Sequence, residues 1–235
     1  MRSNADLNKK ALRLRKEFEI DSTSPVNIFP LIENLDSMTV IRYPFSNNIS
    51  GASIKIDSEK IISINSTHSY GRQRFTAAHE LYHLFVEEEN MVVCEDLKWE
   101  QKPDSEKEAD IFASYFLAPN EVLKQFIKKN QNRKTDNLTI EEIIEIQQYF
   151  QISHKATLYR LKNDGYSYDK ELWDVKIADY IKKMEYSKAL YLPNSKIKQY
   201  STIGNYIKKA EEVKNKKIIS QGKYEELLRE AFIYD

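Results

Sequence analysis

One five-residue segment constrains this chain more than any other feature: HELYH at residues 79–83, which fits the pattern H-E-x-x-H. Residues 74–86 contain neither glycine nor proline, which predicts one long helix around the segment. On such a helix His79 and His83 lie about 40° and about one turn apart, so both imidazoles can reach one metal ion. Glu80 lies about 100° from His79, beside that ion, where its carboxylate can deprotonate a water molecule. The alternative is a surface helix that happens to carry these residues, but the apolar flanks of the segment predict a mostly buried helix.

Hydropathy patterns along the rest of the chain predict an α+β fold. Residues 39–43, 50–57 and 60–65 are β-branched or alternate in hydropathy, which predicts a small antiparallel sheet packed on the HELYH helix. The acidic stretch that follows Phe85 is predicted to be irregular. Periodicity and capping residues predict further helices at residues 7–19, 26–35, 105–118, 121–129, 138–150, 154–162, 203–214 and 221–232.

A second metal-binding element is predicted downstream, where EKEAD at residues 106–110 begins a helix. A mononuclear catalytic zinc site needs three protein ligands and one open position. Glu106 and Asp110 share a helix face, whereas Glu108 points about 200° away from Glu106. We therefore predict Glu106 as the third ligand and Asp110 as the group that hydrogen-bonds a ligand imidazole. Glu108 is the competing ligand, and a solvated acidic helix start is the alternative to any metal role.

Four segments together resemble one known family, the ImmA/IrrE-type metallopeptidases of bacteria and phages. RQRFTAAHELYHLF and EKEADIFASYFLAP carry the predicted ligands, SGASIKIDSEKIISINS lies upstream, and FQISHKATLYRL lies downstream. The resemblance implies a zincin-like peptidase core that binds one Zn²⁺ per chain. It implies His79, His83 and Glu106 as the metal ligands and Glu80 as the catalytic base.

The chain departs from the family pattern at two positions. The family often has glycine before the second histidine, where this chain has Tyr82, and methionine before the proline, where it has Ala118. Neither change removes a ligand. A tyrosine at position 82 either crowds the contact with the second helix or lines the cleft.

The resemblance also implies a function, which is the selective cleavage of a helix-turn-helix transcriptional repressor. Such an antirepressor acts in mobile-element induction or in a stress response. Two alternatives stay open: a non-cleaving regulator that binds a transcription factor, and a DNA-binding regulator that uses residues 139–162 and the basic tail. The intact Glu80 counts against the first alternative. Lysine-rich helices are usually only solvated faces, and direct DNA binding is therefore disfavoured.

The predicted organisation has two parts. Residues 1–165 form the metallopeptidase core, which includes the helix-turn-helix-like segment 139–162. Residues 166–235 form a helical region with a regulatory or docking role. An edge of the sheet is predicted to pair with an extended substrate strand.

Other residues near the motif were also considered for roles in substrate contact, oxyanion stabilisation or metal binding. His68, just ahead of the HELYH helix, is a candidate for oxyanion or substrate contact, although an ordinary loop histidine is the simpler interpretation. Tyr70 and Tyr82 are the nearest candidate oxyanion donors. Cys94 is expected to lie outside the ligand geometry as a plain thiol. His154 is expected at the surface.

Composition limits the remaining choices. Lys+Arg and Asp+Glu are both 36, and this zero net charge disfavours a globally basic nucleic-acid binder. A single cysteine excludes an intrachain disulfide. We expect a cytoplasmic protein with no membrane contact, because the chain shows neither an apolar leader nor a window of 18–20 apolar residues.

Overall fold

A computed structural model describes residues 1–46, 48–87, 90–129, 137–195 and 199–232 of the chain. The predicted α+β class is confirmed, with helices packed around a five-stranded sheet. The N-terminal half contains α1 Asn4–Glu17, α2 Ile28–Asn34, β1 Met38–Tyr43, β2 Ile49–Ile56, β3 Glu59–Asn65, α3 Tyr70–Tyr82, β4 Met91–Glu95, α4 Asp104–Leu117 and α5 Asn120–Lys129.

The C-terminal half is mostly helical, as predicted, and also contributes three short strands. Its elements are β5 Asn137–Leu138, α6 Ile140–Phe150, α7 His154–Asn163, β6 Ser167–Tyr168, α8 Ile177–Lys183, β7 Ser201–Gly204, α9 Asn205–Asn215 and α10 Gln221–Ala231. Strands β5 and β6 form a separate two-stranded parallel pair.

The main sheet has the strand order β4-β2-β3-β1-β7. The expected hairpin is present as the antiparallel pair β2–β3, but β1 pairs with β3 in parallel, so the sheet is mixed rather than antiparallel throughout. Two strands lie where none was predicted. Strand β4 forms inside the acidic stretch that was expected to be irregular, and β7 replaces the beginning of the predicted helix 203–214.

Close packing at Gly51 sets the position of α3 on the sheet. A Cβ atom at Gly51 would lie 2.5 Å from Cγ2 of Thr76 and 2.8 Å from Oε1 of Glu80. Glycine in a strand often marks such a close approach. The HELYH helix therefore rests directly on β2, with the Glu80 carboxylate against the strand backbone.

Small residues allow α4 to pack beside α3, and two arginines from other helices hold its C-terminal end. Ala78, Ala109 and Ala113 are fully buried, which allows the two helices to pack closely. At the end of α4, buried Arg15 donates to the Phe116 carbonyl at 2.6 Å, and buried Arg160 donates to the carbonyls of Ser114 at 2.8 Å and Ala118 at 2.7 Å. The bonds to Phe116 and Ala118 satisfy carbonyl groups that the helix end leaves unpaired, whereas the Ser114 carbonyl also accepts from the backbone N–H of Ala118.

Among the described residues, none of the helices has both the length and the apolar character that a membrane crossing requires.

Candidate metal centre

The two motif histidines lie together at the end of α3. The α-helix ends at Tyr82 and continues as a π-helical turn over His83–Glu87, a distortion that is frequent at functional sites. Both imidazoles are buried, and their Nε2 atoms are 3.2 Å apart.

Helix α4 brings Glu106 to this pair. Oε2 of Glu106 lies 3.3 Å from Nε2 of His79, and Oε1 lies 3.3 Å from Nε2 of His83. Burial alone would raise the pKa of Glu106, but the two imidazoles lower it below its ordinary value. The carboxylate of Glu108 instead accepts a hydrogen bond from the Tyr82 hydroxyl at 2.5 Å. The structure therefore brings Glu106, and not Glu108, to the histidine pair.

Carboxylates orient both histidines through contacts with their Nδ1 atoms. Oδ1 of Asp110 lies 2.9 Å from Nδ1 of His79, the contact that the shared helix face predicts. Oε2 of Glu87 lies 2.6 Å from Nδ1 of His83. A carboxylate accepts the Nδ1 proton in such a pair, which leaves the Nε2 lone pair available for a metal ion. Lys102 donates to Asp110 at 2.7 Å.

Sequence reasoning missed Glu87 and Lys102. Glu87 could have been found, because it lies four residues after His83 and therefore on the same helix face. Lys102 lies in the segment before α4, and no local periodicity connects it to Asp110.

The expectation that Cys94 lies outside the ligand geometry is wrong. Cys94 is on β4, where it pairs with Gly51 of β2, and its buried sulfur lies 3.6 Å from Oε1 of Glu106. Ligand atoms of Cys94, His79, His83 and Glu106 all lie within 4.8 Å of one another. The error follows from the stretch being taken as irregular, although its segment MVVCE is β-branched enough to favour a strand.

The cluster fits a metal ion. Tetrahedral zinc with bonds of about 2.0–2.1 Å to nitrogen and oxygen separates its ligand atoms by about 3.3–3.4 Å. The distances of 3.2 and 3.3 Å among His79, His83 and Glu106 are close to that spacing, with one oxygen of Glu106 facing each imidazole. Two Nε2 lone pairs that face each other also repel unless a cation or a proton lies between them.

Glu80 has the environment of a general base. It is fully buried, and Ser53 and Cys94 lie near its carboxylate, although neither oxygen accepts a hydrogen bond of ordinary geometry in the described part of the chain. Burial raises its pKa, and the nearby His79 and His83 offset only part of that effect. A carboxylate with a raised pKa is a stronger proton acceptor once it is ionised.

A cleft of about 750 Å³ leads to the cluster. It is lined by residues of α3, β4, α4 and α7, and Tyr191 from the C-terminal region contributes to its wall. Trp99 and Tyr159 stack with ring centroids 6.0 Å apart on one side. His154, expected at the surface, is half-buried on the cleft wall and its Nε2 lies 2.7 Å from the Leu172 carbonyl oxygen.

The three candidate substrate or oxyanion residues lie elsewhere in the described structure and do not line this cleft. Tyr82 packs against Phe112 and is bonded to Glu108, and the ring of Tyr70 packs on Phe29 with centroids 5.6 Å apart. His68 lies before α3, where burial and the positive charge of a nearby arginine lower its pKa to about 4.

Comparisons with known proteins agree with this geometry. The family model of a peptidase group, described as the IrrE N-terminal-like domain, matches residues 32–162. A comparison with curated protein sequences gave no significant match. The family match supports a metallopeptidase, and the matched region contains every residue of the metal-binding cluster. Because it covers more than half of the chain, the protein belongs to the peptidase family of IrrE N-terminal-like domains, as the sequence resemblance predicted.

Proposed function

We propose that this protein is a zinc-dependent endopeptidase that selectively cleaves one protein partner, a helix-turn-helix transcriptional repressor. The observation that carries the proposal is the fully buried Glu80 carboxylate beside the His79, His83 and Glu106 cluster. Burying a carboxylate among apolar and weakly donating groups is costly, and function accounts for that cost where folding does not.

The chain's own groups have distinct roles in this proposal. His79, His83 and Glu106 hold one Zn²⁺, while Asp110 and Glu87 keep the imidazoles in the binding orientation. A bound zinc ion polarises the scissile carbonyl and lowers the pKa of water.

Glu80 handles the proton in this mechanism. Its carboxylate accepts a proton from the attacking water and delivers it to the amine that leaves. The raised pKa of Glu80 suits both steps, because the same group must first accept and then donate.

The edge strand β4 provides a place for an extended substrate. It is the last strand of the sheet and pairs only with β2 among the described residues. Met91 and Val93 on this strand are 65% and 49% exposed. An extended peptide that adds to this edge forms backbone hydrogen bonds beside the cluster.

Selectivity for one partner follows from the family resemblance and from the walls of the cleft. A repressor as substrate makes the enzyme an antirepressor in mobile-element induction or a stress response. Residues 166–235 serve as the docking or regulatory region, because Tyr191 reaches the cleft and the Leu192 carbonyl accepts from the backbone N–H of Tyr70.

The alternatives are less well supported. A non-cleaving regulator does not need the intact, buried Glu80. A DNA-binding role for the helix-turn-helix-like segment 139–162 needs polar side chains on α7 to be available. Two of them, Thr157 and Arg160, are buried, and the Arg160 guanidinium is bonded to carbonyls of α4.

Where an adjacent gene encodes a helix-turn-helix repressor, the test is a digest of that repressor run beside a digest of casein. The zinc-loaded protein should cut the repressor at defined bonds and leave casein nearly intact. Glu80→Gln is the matched control, because it preserves shape and ligands but removes the base, and it should retain zinc without cleaving. Equal digestion of both proteins would overturn selectivity, and wild-type cleavage by Glu80→Gln would overturn the role of Glu80.

A further inference from the structure

Cys94 occupies a place in the cluster that an ordinary buried cysteine does not need. Edge strand β4 runs past the three ligands, and its pairing with β2 puts Cys94 opposite Gly51. The absence of a Cβ atom at Gly51 leaves room there for the Glu80 carboxylate. Cys94 also lines the cleft, together with His79 and Glu106.

The distances fit a fourth ligand. A zinc–sulfur bond of about 2.3 Å places a thiolate about 3.6 Å from the nitrogen or oxygen ligands of the same tetrahedral ion. The observed separation between the sulfur of Cys94 and Oε1 of Glu106 is 3.6 Å. The set of His79, His83, Glu106 and Cys94 completes a tetrahedral coordination number.

A second observation points to the same position. Glu80 is fully buried, and the Cys94 thiol and the Ser53 hydroxyl are the side-chain donors that lie near its carboxylate. The base would act on a water molecule in the open position of a three-ligand site. The sulfur of Cys94, near both the ligands and the base, lies where it competes with that water.

We propose that Cys94 is a fourth metal ligand, which holds the centre closed until the sulfur is displaced. The inference rests on the proposed function and adds its regulation: the resting enzyme is latent. On binding, the Cys94 thiol loses its proton to solvent, and the thiolate fills the coordination position that catalysis requires. Because β4 is held by one neighbouring strand in the described structure, a substrate strand added to its other edge contacts the element that carries the sulfur.

Cobalt(II) is the probe, since it substitutes for zinc and a cobalt–thiolate bond gives a charge-transfer absorption in the near ultraviolet. Cys94 is the only cysteine of the chain, so such a band has one possible source. Apo protein is titrated with Co²⁺ as wild type, as Cys94→Ala and as Val92→Ala. Val92→Ala is the matched control, because it truncates a half-buried residue two positions away on the same strand.

We expect the band in wild type and Val92→Ala and its complete loss in Cys94→Ala, with one Co²⁺ still bound. Competition with a chelator should show affinity falling by more than the roughly 10–100-fold typical of an outer-shell partner. A wild-type protein that binds one Co²⁺ without the band overturns the proposal and leaves the three-ligand site standing. Failure of all three proteins to bind Co²⁺ overturns the proposed function as well.

Acetohydroxamate then tests the closed state, because it binds a metal only at an open position. If the thiolate occupies the open position in about nine sites out of ten, only one site in ten can bind acetohydroxamate. The apparent affinity for acetohydroxamate is then about tenfold lower than that of a fully open site. Cys94→Ala should therefore bind acetohydroxamate at least about tenfold more tightly than wild type or Val92→Ala. Equal affinity of Cys94→Ala and wild type would overturn latency.

Discussion

Helix α4 has two acidic faces that perform different tasks. Glu106 and Asp110 face the histidines of α3, whereas Glu108, on the opposite side, accepts from the Tyr82 hydroxyl and pairs with the guanidinium of Arg2. On both faces burial alone would raise the carboxylate pKa, and partners lower it instead. The difference lies in the partners: two imidazole lone pairs face a cation or a proton, while a hydroxyl and a guanidinium already supply donors.

This comparison shows that residue type alone does not identify a metal ligand. The two glutamates are both buried, both lie in the first turns of α4 and differ by two positions. Helix rotation separates them by about 200°, so each contacts a different neighbour.

The largest effect is expected when Glu106 and Glu108 are each neutralised, which tests which of them is the metal ligand. Glu106→Gln should lower zinc affinity by more than roughly 100-fold, because it removes a ligand rather than an outer partner. Glu108→Gln is the matched control and should bind zinc as wild type does. Metal content after dialysis against a chelator measures both. The opposite order of the two variants would move the third ligand to Glu108.

A substitution at Asp110 tests whether a residue that contacts a ligand, without being one, contributes to zinc affinity. Asp110→Asn keeps the shape of the side chain but weakens its hold on the Nδ1 proton of His79, so zinc affinity should fall by roughly 10–100-fold. Glu108→Gln again serves as control. An Asp110→Asn protein with wild-type zinc affinity would mean that, on this side of α4, Glu106 alone contributes to zinc binding.

A substitution at Tyr82 tests whether the Glu108 side of α4 contributes to the free energy of unfolding and not to zinc binding. Tyr82→Phe removes the hydroxyl that donates to Glu108 and should lower the free energy of unfolding by about 1–2 kcal/mol with zinc affinity unchanged. Tyr43→Phe, at a tyrosine that is 45% exposed, should change stability little. Denaturant unfolding of the metal-free proteins makes the measurement. A large loss of zinc from Tyr82→Phe would mean that the two faces are not independent.

The smallest effect is expected at Arg2. Its side chain is 41% exposed, and solvent screens its ion pair with Glu108, so Arg2→Met should cost at most about 1 kcal/mol of unfolding free energy. Denaturant unfolding with and without added salt checks this, since added salt should reduce the difference from wild type. A cost well above that of Tyr82→Phe would make the N-terminus a principal anchor of α4.

Local sequence patterns were sufficient for much of this site. The spacing of the HELYH segment and of Glu106 with Asp110 depends only on helix geometry, and the structure brings these residues together at the predicted faces. Most helices and the β2–β3 hairpin were likewise predictable, because each is set by hydropathy and turns within a short window. Tyr82 was harder, since helix geometry gives its direction but not the neighbour it meets.

The family, the α+β class and the order of residues along each ligand helix could all be obtained from the amino-acid sequence. The placement of β4 and β7 at the two edges of the sheet could not be predicted from local sequence, because these short strands gain their hydrogen bonds from partners distant in sequence. The same pairing decided the place of Cys94, whose position against Gly51 no local pattern contains. Helical contacts repeat within a few residues and can be read along the chain, whereas strand contacts exist only once the chain has folded back on itself.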